Sequence, residues 1–218
     1  MLTAEWGVGY TGGMAGVIGL IYSCLLTRGV EQIAKDTDYP GCTLLSAHGY
    51  CTQELVNLLV VGRATSNVFD GDRHLGDPGA ADSTLLKGIH RATPVGYLAL
   101  FEAYGSLEVG ACLKHPTSPV WVVCSESHFS VLFVCDEEQI ITGESCVPGE
   151  DEACELYYYD GLASQEEVIR LSVTPLGGEQ EGIPTGGVAH GGKPPLELVI
   201  GTRWGRCEVD WNGAERIL

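Results

Sequence analysis

The stretch Pro119-Val120-Trp121-Val122-Val123-Cys124-Ser125-Glu126-Ser127-His128-Phe129-Ser130-Val131-Leu132-Phe133 decides how this chain is read. Two apolar runs, rich in β-branched and aromatic residues, flank a short polar segment, the pattern of a buried antiparallel hairpin. His128 stands where the polar segment turns into the second strand. A lone histidine that merely starts a strand is the commoner case. A hydrolase with a thiol or hydroxyl nucleophile also needs its general base in such a place, backed by a sheet and facing a cleft. The surrounding sequence has to decide between the two.

On the N-terminal side of the hairpin, residues 96–104 are expected to form a short helix after Pro94, closed by Gly105. Residues 69–83, rich in Asp and Gly, read as a loop. Residues 53–61 read as a helix capped by Thr52, with Leu55, Val56, Leu58 and Leu59 as its apolar stripe and Gly62 as its end. A Pro40-Gly41 turn precedes it. Residues 14–35 read as helical, with Leu20, Cys24 and Leu25 directed to a core and Gly29 a weak point. Their apolar part is too short and too Gly-rich to span a bilayer, and it lacks the basic flank of a signal peptide, so a buried helix is expected.

On the C-terminal side, residues 136–155 form an acidic, turn-rich excursion. Residues 156–159 and 168–173 have the composition of strands. Residues 177–195 read as a mobile Gly/Pro linker. Residues 196–200 and 207–211 end the chain as a short helix and a last strand.

With 218 residues, 44% of them hydrophobic, the chain is long enough for one substantial core, and one domain over residues 1–218 is expected. Mean hydropathy of +0.10 is that of a globular protein. Twelve basic against twenty-nine acidic residues give a net charge of −17, the wrong sign for nucleic acid and the right sign for a basic protein. The nine cysteines are odd in number and form no Cys-x-x-Cys pair. Cys24, Cys51, Cys112, Cys124 and Cys135 lie in apolar stretches and read as buried reduced thiols. No zinc-ligand spacing and no cofactor motif is present. A reducing compartment, cytosol or nucleus, follows as the expectation.

Several blocks taken together resemble one family: Gly49-Tyr50-Cys51-Thr52-Gln53-Glu54-Leu55-Val56-Asn57-Leu58-Leu59, Ser66-Asn67-Val68-Phe69, the hairpin around Ser125-Glu126-Ser127-His128, Leu156-Tyr157-Tyr158-Tyr159-Asp160-Gly161, and Asp210-Trp211-Asn212-Gly213. The chain resembles the MINDY deubiquitinases, in the branch of members three and four and nearer to four. The resemblance implies an α+β, papain-like thiol peptidase acting on lysine-48-linked polyubiquitin. In such an enzyme a cysteine thiolate attacks the isopeptide carbonyl while an imidazole manages the protons. His128 matches the family's catalytic histidine, and ubiquitin is the implied partner, with no nucleic acid, membrane, cofactor or metal.

The family's nucleophile sits in a Gly-Gly-Pro-Cys motif at a helix start. Here Gly12-Gly13 is followed by Met14-Ala15. The chain is therefore expected to resemble the C-terminal half of the catalytic domain and to be nearly inert alone, since losing a nucleophile costs on the order of a million-fold in rate. A non-catalytic ubiquitin-binding or scaffolding module is the alternative.

Other residues compete for roles. Cys51, at a helix start where the dipole favours a thiolate, is a candidate nucleophile or a small buried residue. Asp210 and Asn212 are chemically suited to orient His128, or form a turn before Gly213. His48, Glu126 and Asp136 read as loop residues. Asp136, Glu137, Glu138, Glu150, Asp151 and Glu152 could face a basic protein, and equally form a solvated loop.

Overall fold

The computed structural model describes residues 14–77, 79, 83–135, 147–163, 165, 167–177 and 192–216. The proposed linker, apart from its ends, and Asp136, Glu137 and Glu138 lie outside those residues. The described chain groups into two compact units, one built from residues 1–67 and 71–88, the other from residues 68–70 and 89–218.

The second unit is a six-stranded sheet whose spatial order is its chain order: β3 (Gly96–Ala99), β4 (Val120–Ser125), β5 (His128–Phe133), β6 (Cys154–Tyr159), β7 (Ile169–Pro175) and β8 (Cys207–Asp210). Only β3 and β4 run parallel; every other neighbour is antiparallel. The expected hairpin is β4–β5, with Glu126 at φ 57 in its two-residue turn. With side-chain period two and the observed register, Trp121 and Val123, Leu132, Leu156 and Tyr158, Leu171 and Val173, and Val209 share one face. All are buried.

Helix Pro195–Trp204 covers that face with Leu196, Val199, Ile200 and Trp204. Proline at its first position presets φ and gives up an N–H that has no partner there anyway. Trp121 and Trp204 meet edge to face, centroids 5.4 Å apart, and the buried Arg203 guanidinium lies 5.3 Å and 4.5 Å from their ring centres. Helices packed on a mainly antiparallel sheet make the class α+β, as expected.

Residues 96–104 correct the expected helix. Gly96–Ala99 is a strand and only Leu100–Ala103 makes a helical turn. All four strand residues are buried, so no alternation announces them. Gly96 is required where it stands, because a Cβ there would collide with the Trp121 ring and the Leu113 carbonyl.

The first unit carries helices Met14–Arg28, Val30–Asp36 and Gln53–Val61, and a small antiparallel pair, β1 (Arg73–Leu75) with β2 (Thr84–Leu86), inside and after the expected loop. Gly29 at φ 84 breaks the expected long helix with an 82° bend. Among the described residues no single helix is long and apolar enough to cross a membrane; this bent pair reaches the length only together. Gly62, left-handed at φ 77, ends the third helix as expected. Thr52 stands at its N-cap position, but its hydroxyl donates to the Thr43 carbonyl at 2.7 Å instead of capping.

Ile33, Leu55, Leu58 and Ala64 are the buried apolar residues of this unit's cluster, with Ile21, Cys24 and Leu25 of the first helix packed against them. The expectation of a buried first helix is overturned: Val17, Ile18, Leu20, Tyr22 and Leu26 are exposed. The helix is apolar nearly all round, so sequence periodicity could not say which side is covered.

Candidate functional site

His128 is the first residue of β5 and pairs with Ser125 across the hairpin turn. It therefore ends the buried row that begins with Leu132 and Ser130, on the helix-covered face of the sheet. Its ring is half-buried, with 29% of the side chain exposed. The next strand, β6, runs antiparallel to β5, so its exit comes back to the turn end of the hairpin. Asp160 follows directly, and its Oδ2 lies 2.6 Å from His128 Nε2.

Asp160 is buried. Burial pushes its carboxyl up, but the Leu162 amide, the hydrogen bond and charge of His128, and the Ala163 amide outweigh that and hold it below the ordinary carboxylate range. The Leu162 N–H donates to Oδ1 at 2.9 Å. An ionised carboxylate only accepts, so His128 Nε2 carries the proton and donates to it. Nδ1 is left as the ring nitrogen with no hydrogen bond among the described residues. Behind the pair in the same row lies the buried Tyr158, whose phenol is pushed up by burial and stays a neutral O–H.

An imidazole held by a carboxylate through one nitrogen, with the other open, can take a proton from a neighbouring nucleophile and return it to a leaving group. The described cysteines of the same unit do not supply that nucleophile as placed: Cys135 follows Phe133, past the end of β5 away from His128. Cys124 lies on the opposite face of the hairpin, its Sγ donating to the Glu126 carbonyl at 3.3 Å, and burial raises its pKa. Burial likewise pushes the Cys112 and Cys154 thiols up to about 11 and raises Cys207. Cys51, the sequence candidate, is exposed at the start of its helix and belongs to the first unit, as does His48.

The other sequence candidates fall elsewhere. Asn212, at φ 52, donates through Nδ2 to the Arg170 carbonyl at 3.0 Å, and its backbone N–H donates to Asp210 Oδ1 at 2.9 Å, so Asp210 and Asn212 form the turn. Glu126 is the exposed first residue of the hairpin turn. Glu150, Asp151 and Glu152 are exposed, and Glu150 pairs with His115 at 3.1 Å. Of the five cysteines read as buried, only Cys124 is; Cys51 and Cys135 are exposed, and Cys24 and Cys112 are partly so. Among the described residues no group of His, Cys, Asp and Glu could hold a metal ion.

Asp160 was the residue sequence reasoning missed. It lies 32 residues from His128 and is followed by Gly161, so it reads as a turn signal. The sign that could have found it is topological: the strand after a hairpin, laid antiparallel beside it, must exit at the hairpin's turn.

A family model described as "Deubiquitinating enzyme MINDY-3/4, conserved domain" matches residues 8–213. Among similar proteins, the "Probable ubiquitin carboxyl-terminal hydrolase MINDY-4" of Bos taurus is 46% identical over 209 residues, covering 96% of this chain and 26% of the relative. Its Homo sapiens counterpart is 45% identical over 206 residues, 94% of this chain and 26% of the relative. The "Ubiquitin carboxyl-terminal hydrolase MINDY-3" of Homo sapiens is 40% identical over 126 residues, 57% of this chain and 27% of the relative. The chain thus spans about a quarter of the length of the curated relatives it matches. No solved structure matches it.

Proposed function

We propose that this chain, which belongs to the MINDY-3/4 family of deubiquitinating enzymes, supplies the general-base half of a cysteine-type ubiquitin hydrolase of papain-like design. His128 is the base and Asp160 its orienting carboxylate. The observation that carries this reading is the 2.6 Å contact between His128 Nε2 and Asp160 Oδ2, made in the Ser-Glu-Ser-His block of the sequence. With Nε2 engaged, Nδ1 takes the thiol proton as the thiolate attacks the isopeptide carbonyl, and it returns that proton to the departing lysine amine. The substrate we propose is lysine-48-linked polyubiquitin, a basic-tailed partner in keeping with a net charge of −17. The eight described cysteines, all unpaired, support a cytoplasmic or nuclear setting.

Since no Gly-Gly-Pro-Cys occurs in the 218 residues, these residues alone should not cleave such chains. The same observation favours a second reading, a ubiquitin-binding module without catalysis. Purified protein is to be assayed on lysine-48-linked diubiquitin beside a longer form that carries the motif. The longer form should cleave, and His128→Ala should lower its turnover on the order of a hundred- to ten-thousandfold. Near-normal turnover in that variant defeats the assignment. Cleavage by the 218 residues themselves, abolished by Cys51→Ala, would make Cys51 the nucleophile. Tight ubiquitin binding with no cleavage by either form selects the second reading.

A further inference from the structure

The pairing of β6 with β7 runs from Cys154–Val173 to Tyr158–Ile169. Past that last rung, Asp160 has no residue of β7 opposite it in the register. The Gln165 side chain takes the place of the missing strand. Its Oε1 accepts from the Asp160 N–H at 2.8 Å, and its Nε2 donates to the Tyr158 carbonyl at 3.0 Å and the Glu167 carbonyl at 2.6 Å. Only one orientation of the amide satisfies all three, because a flip would face its NH2 to an N–H and its oxygen to two carbonyls.

Asp160 is thereby held from two sides. The Leu162 N–H fixes its Oδ1, and Gln165 fixes its main chain. Main-chain direction at a strand exit decides where the side chain points, because successive residues alternate faces. A rotation of the Asp160 peptide would carry the carboxylate off the face that His128 occupies. The hydrogen bonds of Gln165 go to Asp160, Tyr158 and Glu167 and not to the imidazole, so its influence on the pair is transmitted through Asp160.

We propose that Gln165 is the positioning residue of the His128–Asp160 pair: its carboxamide continues the β6 ladder past the last rung and so aims Asp160 at the imidazole. This rests on the reading of His128 and Asp160 given above.

The test uses the chain itself and needs no turnover. Proton and nitrogen spectra of the histidine rings should show His128 protonated at Nε2, with a low-field N–H signal from the bond to Asp160. Asp160→Ala should abolish that signal. Gln165→Met, near in volume but unable to bond, should remove most of it while circular dichroism stays native. The Asp160 amide should then exchange about five- to tenfold faster, while the amides of Leu156 and Leu171 keep their protection. Should Gln165→Met fail to fold, Gln165→Asn keeps an amide one methylene too short to reach Asp160 and Glu167 together, and it must give the same loss. A wild-type signal in a folded Gln165 variant, where Asp160→Ala has lost it, overturns the proposal. Persistence of the signal in Asp160→Ala instead defeats the pair itself, and with it the proposal.

Discussion

The two units of this chain hold themselves together by different means. In the sheet unit, a continuous row from Trp121 through Leu132, Tyr158, Leu156 and Leu171 to Val209 is buried beneath one helix. In the helical unit the cluster is small, and directed polar bonds carry the architecture. Asp36, 1% exposed, takes both arms of Arg28 at 2.7 Å and 2.6 Å, the Gln32 amide at 3.3 Å and the Ala64 N–H at 3.1 Å. Buried Asn57 donates to the carbonyls of Thr65 and Asn67. Asp38 takes the Lys87 N–H and the Asn67 amide. Buried apolar area carries no charge to titrate or to screen, whereas charged polar pins respond to pH and to ionic strength. Perturbations should therefore separate the two units.

The largest effect is expected from Trp121→Ala. The side chain is fully buried, meets Trp204 edge to face, supports Arg203 and donates from Nε1 to the Lys114 carbonyl at 3.0 Å. Its loss should cost about 3–5 kcal/mol in urea unfolding followed by sheet signals. A cost below about 1 kcal/mol would mean that the buried row is not what holds the sheet unit.

Asp36→Ala comes next. Truncating the carboxylate frees Arg28, one quarter exposed, so water absorbs part of the penalty and about 1–3 kcal/mol is expected. Faster amide exchange should be confined to residues 30–36 and 64. Acid should mimic it. Burial pushes the Asp36 carboxyl up, but Arg28, Ala64 and Gln32 outweigh this and hold it below the ordinary value. A depressed folded pKa stabilises above the ordinary carboxylate pKa of about 4, and that stability is lost as pH falls through the folded value. Protection of residues 30–36 should therefore fall below about pH 4 in the wild type. In Asp36→Ala that dependence should flatten. Uniform loss across both units in acid would mean that the two units do not differ in what holds them.

The smallest effect is expected on the exposed face of the first helix. Leu26 is 75% exposed, so Leu26→Ser should change unfolding by no more than about 0.5 kcal/mol. A cost several times larger, measured on the isolated chain, would mean that this helix face is covered in solution.

Legibility in the sequence follows the same division. The hairpin, β6, β7 and the final helix and strand could be read because each shows one wet side and one dry side, or a clear stop. Strand Gly96–Ala99 could not, being dry on both. Strands β1 and β2, three residues each with side chains largely at the surface, carry no pattern at all. The bare face of the first helix was hidden because its sequence is apolar whichever way it turns. At the candidate site His128 was legible from its own block, whereas Asp160 depended on which end of β6 returns to the hairpin turn.

That a sheet should keep its strands in chain order has a consequence for how such a protein can vary. Among the antiparallel connections, those at the histidine turn are short: two residues close β4–β5, and residues 160–168 join β6 to β7 beside Asp160. The long ones, residues 134–153 and 176–194, depart from Phe133 and Pro175, at the far end of strands that run roughly 20 Å. Lengthening a loop costs little, about 0.6 kcal/mol per doubling. Insertions there can accumulate without altering a single rung of pairing. Among its antiparallel connections the fold thus keeps a diversifiable pole and a constrained pole a strand's length apart, and the His128–Asp160 pair stands at the constrained one.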